Sequence, residues 1–375
     1  MTARKAHRTR FLISGFLGMV IGLLAVASAN LAIDSRDLYS NDTARVHDAA
    51  RAYVDYLISN PGPAPEVPFV RASKIELLQK QPADCFVLGS SRVMGVDLTT
   101  VPELRSSCRH LSNLWVPAAG FEDTIAYLGA IAQKAPHGTV YVEIWLNDMR
   151  QQSTPLWLDV ESQFNSAVKM FGIKYHHPYF SSSDVTLFLN IFNLNYLSLN
   201  IRSFYLPVFD RIRRAQKSTR STLANGAKSY LRPATTDENR CFASGRCAYK
   251  SSQRAEKWDP VTNRTQTIIF PAVDAVVYSA YEHAFRFLKN KGIEPVMLLM
   301  PYRSQVWDCQ NPDYCRALTE TEKAARRLAA KINLRVIGSF DPRKIGLSDQ
   351  AFLDTLHLRH SDLEKVFRLQ SARLH

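Results

Sequence analysis

The chain has 375 residues, of which 46% are hydrophobic, so it can bury a large core and does not have the composition of a disordered protein. Its 47 basic and 34 acidic residues give a formal net charge of +13, which favours an anionic partner. Nucleic acid is not the expected partner, because the sequence contains no zinc-finger spacing, no aromatic RNA-binding motif and no basic region joined to heptads.

The N-terminal segment predicts a membrane anchor. Residues 1–10 carry four Lys or Arg and no acidic residue, and residues 11–33 carry no charge. A helix of that length can cross a hydrocarbon core, and its basic flank predicts a cytoplasmic N-terminus. The alternative is a cleaved signal peptide, since Ala27-Ser28-Ala29 has the small-residue pattern of a cleavage site. We expect residues 34–375 to be exported, as the periplasmic part of a single-pass inner-membrane protein if the anchor is retained.

Residues 34–83 are expected to form a helical linker. Residues 43–59 have the apolar spacing of an amphipathic helix. The segment NPGPAPEVP then breaks the helix with four prolines and a glycine. It leads into the main domain, residues 84–375.

The main domain alternates strand-like and helical segments. This alternation predicts an α/β fold in which helices cover both faces of a parallel sheet. The strand-like segments are residues 85–90, 110–116, 139–146, 295–301 and 334–340.

Three helices have recognisable starts. The helix predicted at 121–135 has an acidic first turn. Capping boxes predict two more starts, one at Thr319 with Glu322 and one at Ser361 with Glu364.

Residues 151–263 are predicted to be an insertion, because the alternation gives way to aromatic, Asn-rich and basic sequence. His176 and His177 are interpreted as packing or groove residues, because no partner ligands stand at metal-site spacing. The basic run at 202–232 indicates either a solvated face or a surface that follows an anionic glycan or lipid head groups. A helix from about Pro271 to Lys291 returns to the domain.

Six cysteines fall into three pairs that are close in sequence. An even number paired in this way predicts three disulfide bonds and an oxidising compartment. Zinc is the alternative, although five residues within each of the two short pairs is wider than the usual zinc hook. The predicted pairs are Cys85 with Cys108, Cys241 with Cys247 and Cys309 with Cys315.

Two short motifs could carry chemistry. Ser90 and Ser91 follow the first strand of the main domain, where ligands bind in open parallel sheets, although a serine after a strand is also an ordinary helix cap. Asp354 and His357 precede the last helix, where a loop histidine could act as the base that a serine nucleophile needs. An ordinary surface loop is the alternative for this second motif.

Together these motifs, GSSR at 89–92 and DTLH at 354–357, resemble the SGNH, or GDSL-like, hydrolase superfamily. The likeness is to a membrane-anchored branch in which Gly-Ser-Ser replaces Gly-Asp-Ser and which is associated with acylation of cell-surface polysaccharides. The resemblance implies a three-layer flavodoxin-like fold. It also implies that Ser91 is the nucleophile, His357 the base and Asp354 the carboxylate that orients the base.

Two further segments, around Gly120 and Asn147, occur along the chain in the same order as the corresponding motifs of the family. By the resemblance, Gly120 offers its backbone N–H to the oxyanion and Asn147 its side-chain amide. Trp145 stands where the family has glycine. No metal and no organic cofactor are implied.

The expected function is therefore that of a serine esterase or O-acyltransferase acting on acylated polysaccharide, with a membrane acyl-donor protein as a possible partner. A non-catalytic glycan-binding or scaffold protein of a polymer-export system is the alternative from another class, and a lipase-like esterase is a third.

Overall fold

A computed structural model of the chain describes residues 18, 20–29, 43–63, 67–150, 155–175, 240–248, 272–309 and 312–368. The chain divides into two compact units, Met1–Arg45 with His176–Thr222 and Val46–Tyr175 with Leu223–His375. In the first unit residues 20–29 are helical. Among the described residues no helix combines the length and the apolar character needed to cross a membrane. The predicted anchor at 11–33 is described only at 18 and 20–29.

The described part of the second unit is built on a five-stranded parallel sheet. The strands of this unit are β1 (Gly62–Pro63), β2 (Cys85–Leu88), β3 (Leu111–Asn113), β4 (Gly138–Glu143), β5 (Arg240–Cys241), β6 (Cys247–Ala248), β7 (Ile293–Leu299) and β8 (Arg335–Gly338). The sheet has the order β3-β2-β4-β7-β8 and is parallel throughout. Its five strands are the five predicted from the sequence, and the order is compatible with a flavodoxin-like fold.

Seven α-helices are described between residues 43 and 368: α1 (Thr43–Ser59), α2 (Val67–Lys80), α3 (Phe121–Lys134), α4 (Glu161–Phe171), α5 (Ala275–Asn290), α6 (Pro312–Ile332) and α7 (His360–Arg368). Alternate strand residues are buried in two cores, one on each face of the sheet. In β2, Phe86 and Leu88 join the core that contains residues of α3, α4, α5 and α6, whereas Cys85 and Val87 join the one with α1 and α7. Most strand residues are apolar because both faces of the sheet are covered.

Part of the predicted linker and part of the predicted insertion pack against this sheet. Helix α1 has the bounds predicted from the sequence and buries Tyr53, Val54 and Leu57. Helix α4, at the start of the predicted insertion, packs so tightly on α3 that a Cβ on Gly129 would collide with Ala167.

The return helix α5 begins later than predicted. Asp274 caps it, since its Oδ1 accepts the N–H groups of Val276 and Val277 at 2.8 and 2.9 Å. This side chain satisfies the donors of the first turn, which fixes the start at Ala275. Pro271, the predicted start, lies outside the described residues.

Both predicted capping boxes are wrong. Thr319 lies inside α6, and its hydroxyl donates to the Cys315 carbonyl at 2.9 Å. Helix α7 begins at His360, one residue before Ser361, whose hydroxyl donates to Asp362 at 3.1 Å. A Ser or Thr inside a helix can bond the carbonyl four residues earlier, so its spacing from a Glu does not define a helix start.

All three predicted disulfide bonds are present: Cys85–Cys108, Cys241–Cys247 and Cys309–Cys315. The second closes the β5–β6 hairpin, which covers the free edge of β3. The Ser244 carbonyl accepts the Asn113 N–H at 2.7 Å, and the Gly245 carbonyl accepts Lys74 Nζ at 2.6 Å and Trp115 Nε1 at 3.1 Å. The hairpin thus blocks an edge that could otherwise pair with another chain.

Candidate active site

The turn after β2, residues 89–92, is called the nucleophile turn below, and its two serines have different partners. Gly89 opens it with φ at 153°, a conformation that glycine adopts readily. The Ser90 hydroxyl accepts the Arg92 N–H at 3.3 Å and so caps the following helical turn. Ser91 is half-buried, and its Oγ lies 2.7 Å from Nε2 of His357. The helix-cap interpretation therefore applies to Ser90, whereas the Ser91 hydroxyl faces the His357 imidazole.

Asp354 holds His357 in position. Its Oδ2 lies 2.6 Å from His357 Nδ1, and its Oδ1 accepts the backbone N–H groups of Leu356 and His357 at 2.7 and 2.8 Å. A carboxylate can only accept, so we assign the ring proton to Nδ1. Nε2 is then left to accept the Ser91 hydroxyl proton.

The Asp354 carboxyl is kept ionised by its partners. Burial alone would raise its pKa, but the hydrogen bond to the His357 ring, the charge of that ring and the two backbone N–H groups together hold the pKa below its ordinary value. An ionised carboxylate is what an imidazole needs if it is to carry a positive charge during proton transfer.

The loop that carries Asp354 and His357 is fixed to the segment that follows β7. Within it, the Leu353 N–H donates to the His357 carbonyl at 2.8 Å. The Arg303 N–H, in the loop after β7, donates to the Thr355 carbonyl at 3.1 Å. Two backbone hydrogen bonds thus fix the loop on itself and against the segment that leaves β7, which positions the imidazole opposite the nucleophile turn.

The Gly120 N–H, a predicted oxyanion donor, is already bonded in this arrangement. Gly120 caps α3, and its N–H donates to Asp123 Oδ2 at 3.0 Å. The buried Arg71 holds the same carboxylate through Nε and Nη2 at 2.6 and 2.9 Å. An oxyanion role for Gly120 requires this N–H to be shared or released, and that role stays a prediction.

Asn147 lies in a tight turn after β4. The Asp148 N–H donates to the Trp145 carbonyl at 3.2 Å, and Asp148 Oδ2 accepts the Trp145 N–H at 3.0 Å. Burial raises the pKa of Asp148 well above its ordinary range. The Trp145 indole donates to the Ala119 carbonyl at 2.8 Å and so connects this turn with the Gly120 loop. Since β2 lies between β3 and β4, the two turns flank the nucleophile turn.

Sequence reasoning missed Glu143, the last residue of β4. Its side chain is fully buried and contacts the nucleophile turn, where Oε2 accepts both the N–H and the hydroxyl of Ser90. The available signal was one charged residue inside the apolar segment 139–146. Because buried carboxylates are rare without partners, that residue indicated a polar contact at the end of the strand.

Other predicted features lie outside the described residues, namely His176, His177 and the basic run at 202–232. No protein-family model matches the chain, and no curated protein sequence matches it.

Proposed function

We propose that the protein is a serine acyl-transfer enzyme of the SGNH-hydrolase type. One observation carries the proposal: Ser91 Oγ, the His357 ring and the Asp354 carboxylate form a continuous hydrogen-bonded chain with distances of 2.7 and 2.6 Å. A nucleophile, a base and a carboxylate that orients the base are the three parts of serine catalysis, and they are recognised by geometry rather than by their order in the chain.

The geometry supports a two-step reaction on an ester. Ser91 Oγ attacks the carbonyl carbon while its proton passes to His357 Nε2, and the negative charge on the carbonyl oxygen is stabilised by the Ser91 N–H and the Asn147 amide. The bond to the alcohol oxygen then breaks, and that oxygen takes the proton from His357. The acyl group is left on Ser91.

Release of the acyl group repeats the same steps in reverse with a new acceptor. Water or a sugar hydroxyl attacks the acyl carbon and gives its proton to His357, which returns the proton to Ser91 Oγ as that oxygen leaves. Attack by water makes the protein an esterase, and attack by a sugar hydroxyl makes it an O-acyltransferase.

We propose a cell-envelope polysaccharide or exopolysaccharide as the substrate, with residues 34–375 outside the cytoplasm and a membrane acyl-donor protein as a further partner. The disulfide bonds support an oxidising compartment. The net charge of +13 and the basic flank of residues 11–33 support an anionic polymer and membrane attachment.

The test is covalent labelling of the full chain with a fluorophosphonate probe, followed by intact-mass measurement. We expect one adduct, located on Ser91 and lost in folded Ser91→Ala. Ser339→Ala is the control, because Ser339 belongs to another Gly-Ser turn, at the end of β8; it should label as the wild type does. A folded wild-type chain without an adduct, or an adduct that persists in Ser91→Ala, would contradict the proposal and favour a binding protein instead.

Partition of the acyl group then separates the two reactions. With an activated acetate ester as donor, we expect free acetate in buffer and acetylated sugar when an oligosaccharide acceptor is added. Their ratio measures whether the site prefers water or a hydroxyl.

A further inference from the structure

The nucleophile turn rests on a buried carboxylate from the neighbouring strand. Glu143 has no exposed surface, and its Oε2 accepts the Ser90 N–H at 2.7 Å and the Ser90 hydroxyl at 2.9 Å. A Cβ on Gly89 would collide with this carboxylate. Gly89 and Glu143 therefore fit each other, and both are in contact with the residue that precedes Ser91.

A buried arginine completes the cluster. Nη1 of Arg92 lies 3.5 Å from Glu143 Oε1, and the guanidinium lies 4.0 Å from the centre of the Tyr302 ring. Its Nη2 donates to the carbonyls of Met300 and Pro301, the latter at 2.9 Å. The residues on either side of Ser91 are thus bound to the ends of two strands, Ser90 to β4 and Arg92 to the segment after β7.

We propose that Glu143 is a positioning residue that places Ser91 within reach of His357; this inference rests on the proposed function. A single carboxylate oxygen receives both donors of Ser90, so the position of that oxygen fixes the backbone one residue before the nucleophile. In the family that the motifs resemble, an aspartate precedes the nucleophilic serine, and this chain has Ser90 at that position. Here a carboxylate reaches the turn from β4, that of Glu143.

The positioning role of Glu143 depends on the length of its side chain. Asp in its place keeps the charge but withdraws the carboxylate by about 1.5 Å, one carbon–carbon bond. Gln keeps the length and one oxygen that can accept, but loses the charge opposite Arg92. Misplacement of a reacting group by about 1 Å can cost on the order of 10² in rate.

We therefore expect Glu143→Asp to lower kcat and the rate of fluorophosphonate labelling at Ser91 about 10²-fold, with KM nearly unchanged. Glu143→Gln should restore part of this rate and lose only about tenfold. All measurements use the full chain, well below its unfolding temperature, so that a loss of stability alone does not change the rate.

The matched control is Glu322→Asp. Glu322 is a buried carboxylate that accepts the Ser339 hydroxyl and the Phe340 N–H, both at 2.9 Å, and pairs with Arg326. It has the same kinds of partner as Glu143 but belongs to α6 and contacts the turn at the end of β8, so its shortening should lower stability and leave the labelling rate unchanged. Equal labelling rates for Glu143→Asp and wild type, or an equal loss of rate in Glu322→Asp, would overturn the inference.

Two further measurements keep the test decisive. If the Glu143 variants do not fold, Ser90→Ala removes the hydroxyl that donates to Glu143 and accepts the Arg92 N–H, and it should slow labelling about fivefold; no change would overturn the inference. A folded wild-type chain that does not label at Ser91 contradicts the proposed function itself. A wild type that labels, together with an equally fast Glu143→Asp, contradicts the positioning role alone.

Discussion

Two turns of this protein have nearly the same construction. The nucleophile turn follows β2, and residues 338–341, here the β8 turn, end β8; each begins with Gly-Ser at the carboxyl edge of the sheet. In each, a buried Glu accepts a serine hydroxyl and a backbone N–H and faces an arginine, Glu143 in the first and Glu322 in the second. A carboxylate beneath a Gly-Ser turn is therefore a way to hold a strand end, and it does not by itself make an active site.

The difference lies in the residue that follows Gly-Ser. In the β8 turn it is Phe340, which is fully buried in the core. In the nucleophile turn it is Ser91, which is half-buried and meets His357. Two strands lie between β2 and β8, a separation of about 14 Å at ordinary strand spacing. Under the proposed function, the His357 loop, rather than the construction of the Gly-Ser turn, distinguishes the active site from the β8 turn.

Removal of Ser91 or His357 should have the largest effect. Ser91→Ala and His357→Ala should each lower kcat on the order of 10⁶-fold, and the double variant should be little slower than either, because the two groups act in one proton transfer. Hydrolysis of an activated ester measures this. Ser339→Ala, which removes the serine hydroxyl of the β8 turn, should keep wild-type kcat. Multiplicative losses in the double variant would show that the two residues act independently.

Loss of charge at Asp354 should come next. Asp354→Asn should lower kcat about 10³- to 10⁴-fold, because an amide can hold the wrong His357 tautomer and cannot stabilise an imidazolium. Asp341 in the β8 turn is the control, since its carboxylate also accepts a backbone N–H nearby, from Arg343 at 3.1 Å. Asp341→Asn should leave kcat unchanged. Equal losses of kcat in Asp354→Asn and Asp341→Asn would show that the two carboxylates do not differ in their effect on catalysis.

Asn147→Ala tests the oxyanion side of the site. We expect a loss in kcat of about 10²- to 10³-fold with KM little changed, the usual effect of removing one oxyanion donor. Asn290→Ala removes an exposed amide at the end of α5 and serves as the control for the loss of an amide. If kcat of Asn147→Ala equals that of wild type, the oxyanion must be stabilised by other donors, and release of the Gly120 N–H from Asp123 becomes the next feature to test.

Much of this arrangement follows from local sequence. The five strands are rich in apolar residues, and their alternation with helices implies parallel strands whose carboxyl ends share one edge. Ser91 and His357, 266 residues apart, could therefore be expected on the same side of the molecule. Their pairing in particular depended on the resemblance of the two motifs to one family. Without it, Gly-Ser after β2 and Gly-Ser after β8 are equivalent in sequence.

Two features could not be predicted because they depend on contacts between segments far apart in the sequence, and a third was wrong because a cap spacing does not fix where a helix starts. Glu143 is one charge in an apolar strand, and its partner Ser90 lies 53 residues away. The Gly120 N–H donates to Asp123, which the sequence indicated only as part of an acidic first helical turn, and Arg71 holds that carboxylate in place. Thr319 and Ser361 matched a cap spacing, but the helices that contain them begin earlier.

The smallest expected effect concerns stability in acid on the nucleophile side of the sheet. His360 packs against Gly95, four residues after Ser91. Burial, with a smaller contribution from the charge of Arg246, lowers the pKa of His360 to about 4 despite the opposing charge of Asp97. The unfolded chain takes up this proton near the ordinary histidine value of about 6.5. Between these two values the unfolded state binds more protons, so His360 makes the folded state less stable as the pH falls from about 6.5 to about 4.

His360→Gln removes this contribution. Relative to wild type, the variant should gain unfolding free energy as the pH falls through that window, by at most about 1.4 kcal/mol per pH unit, and the difference should stop changing below about pH 4. Urea unfolding at several pH values measures it, with His137→Gln as the control for the loss of an exposed histidine. Amide exchange should locate the effect in α7, which carries His360, and at Gly95, which His360 contacts. The same pH dependence of the unfolding free energy in His360→Gln and wild type would show that His360 does not destabilise the folded state in acid.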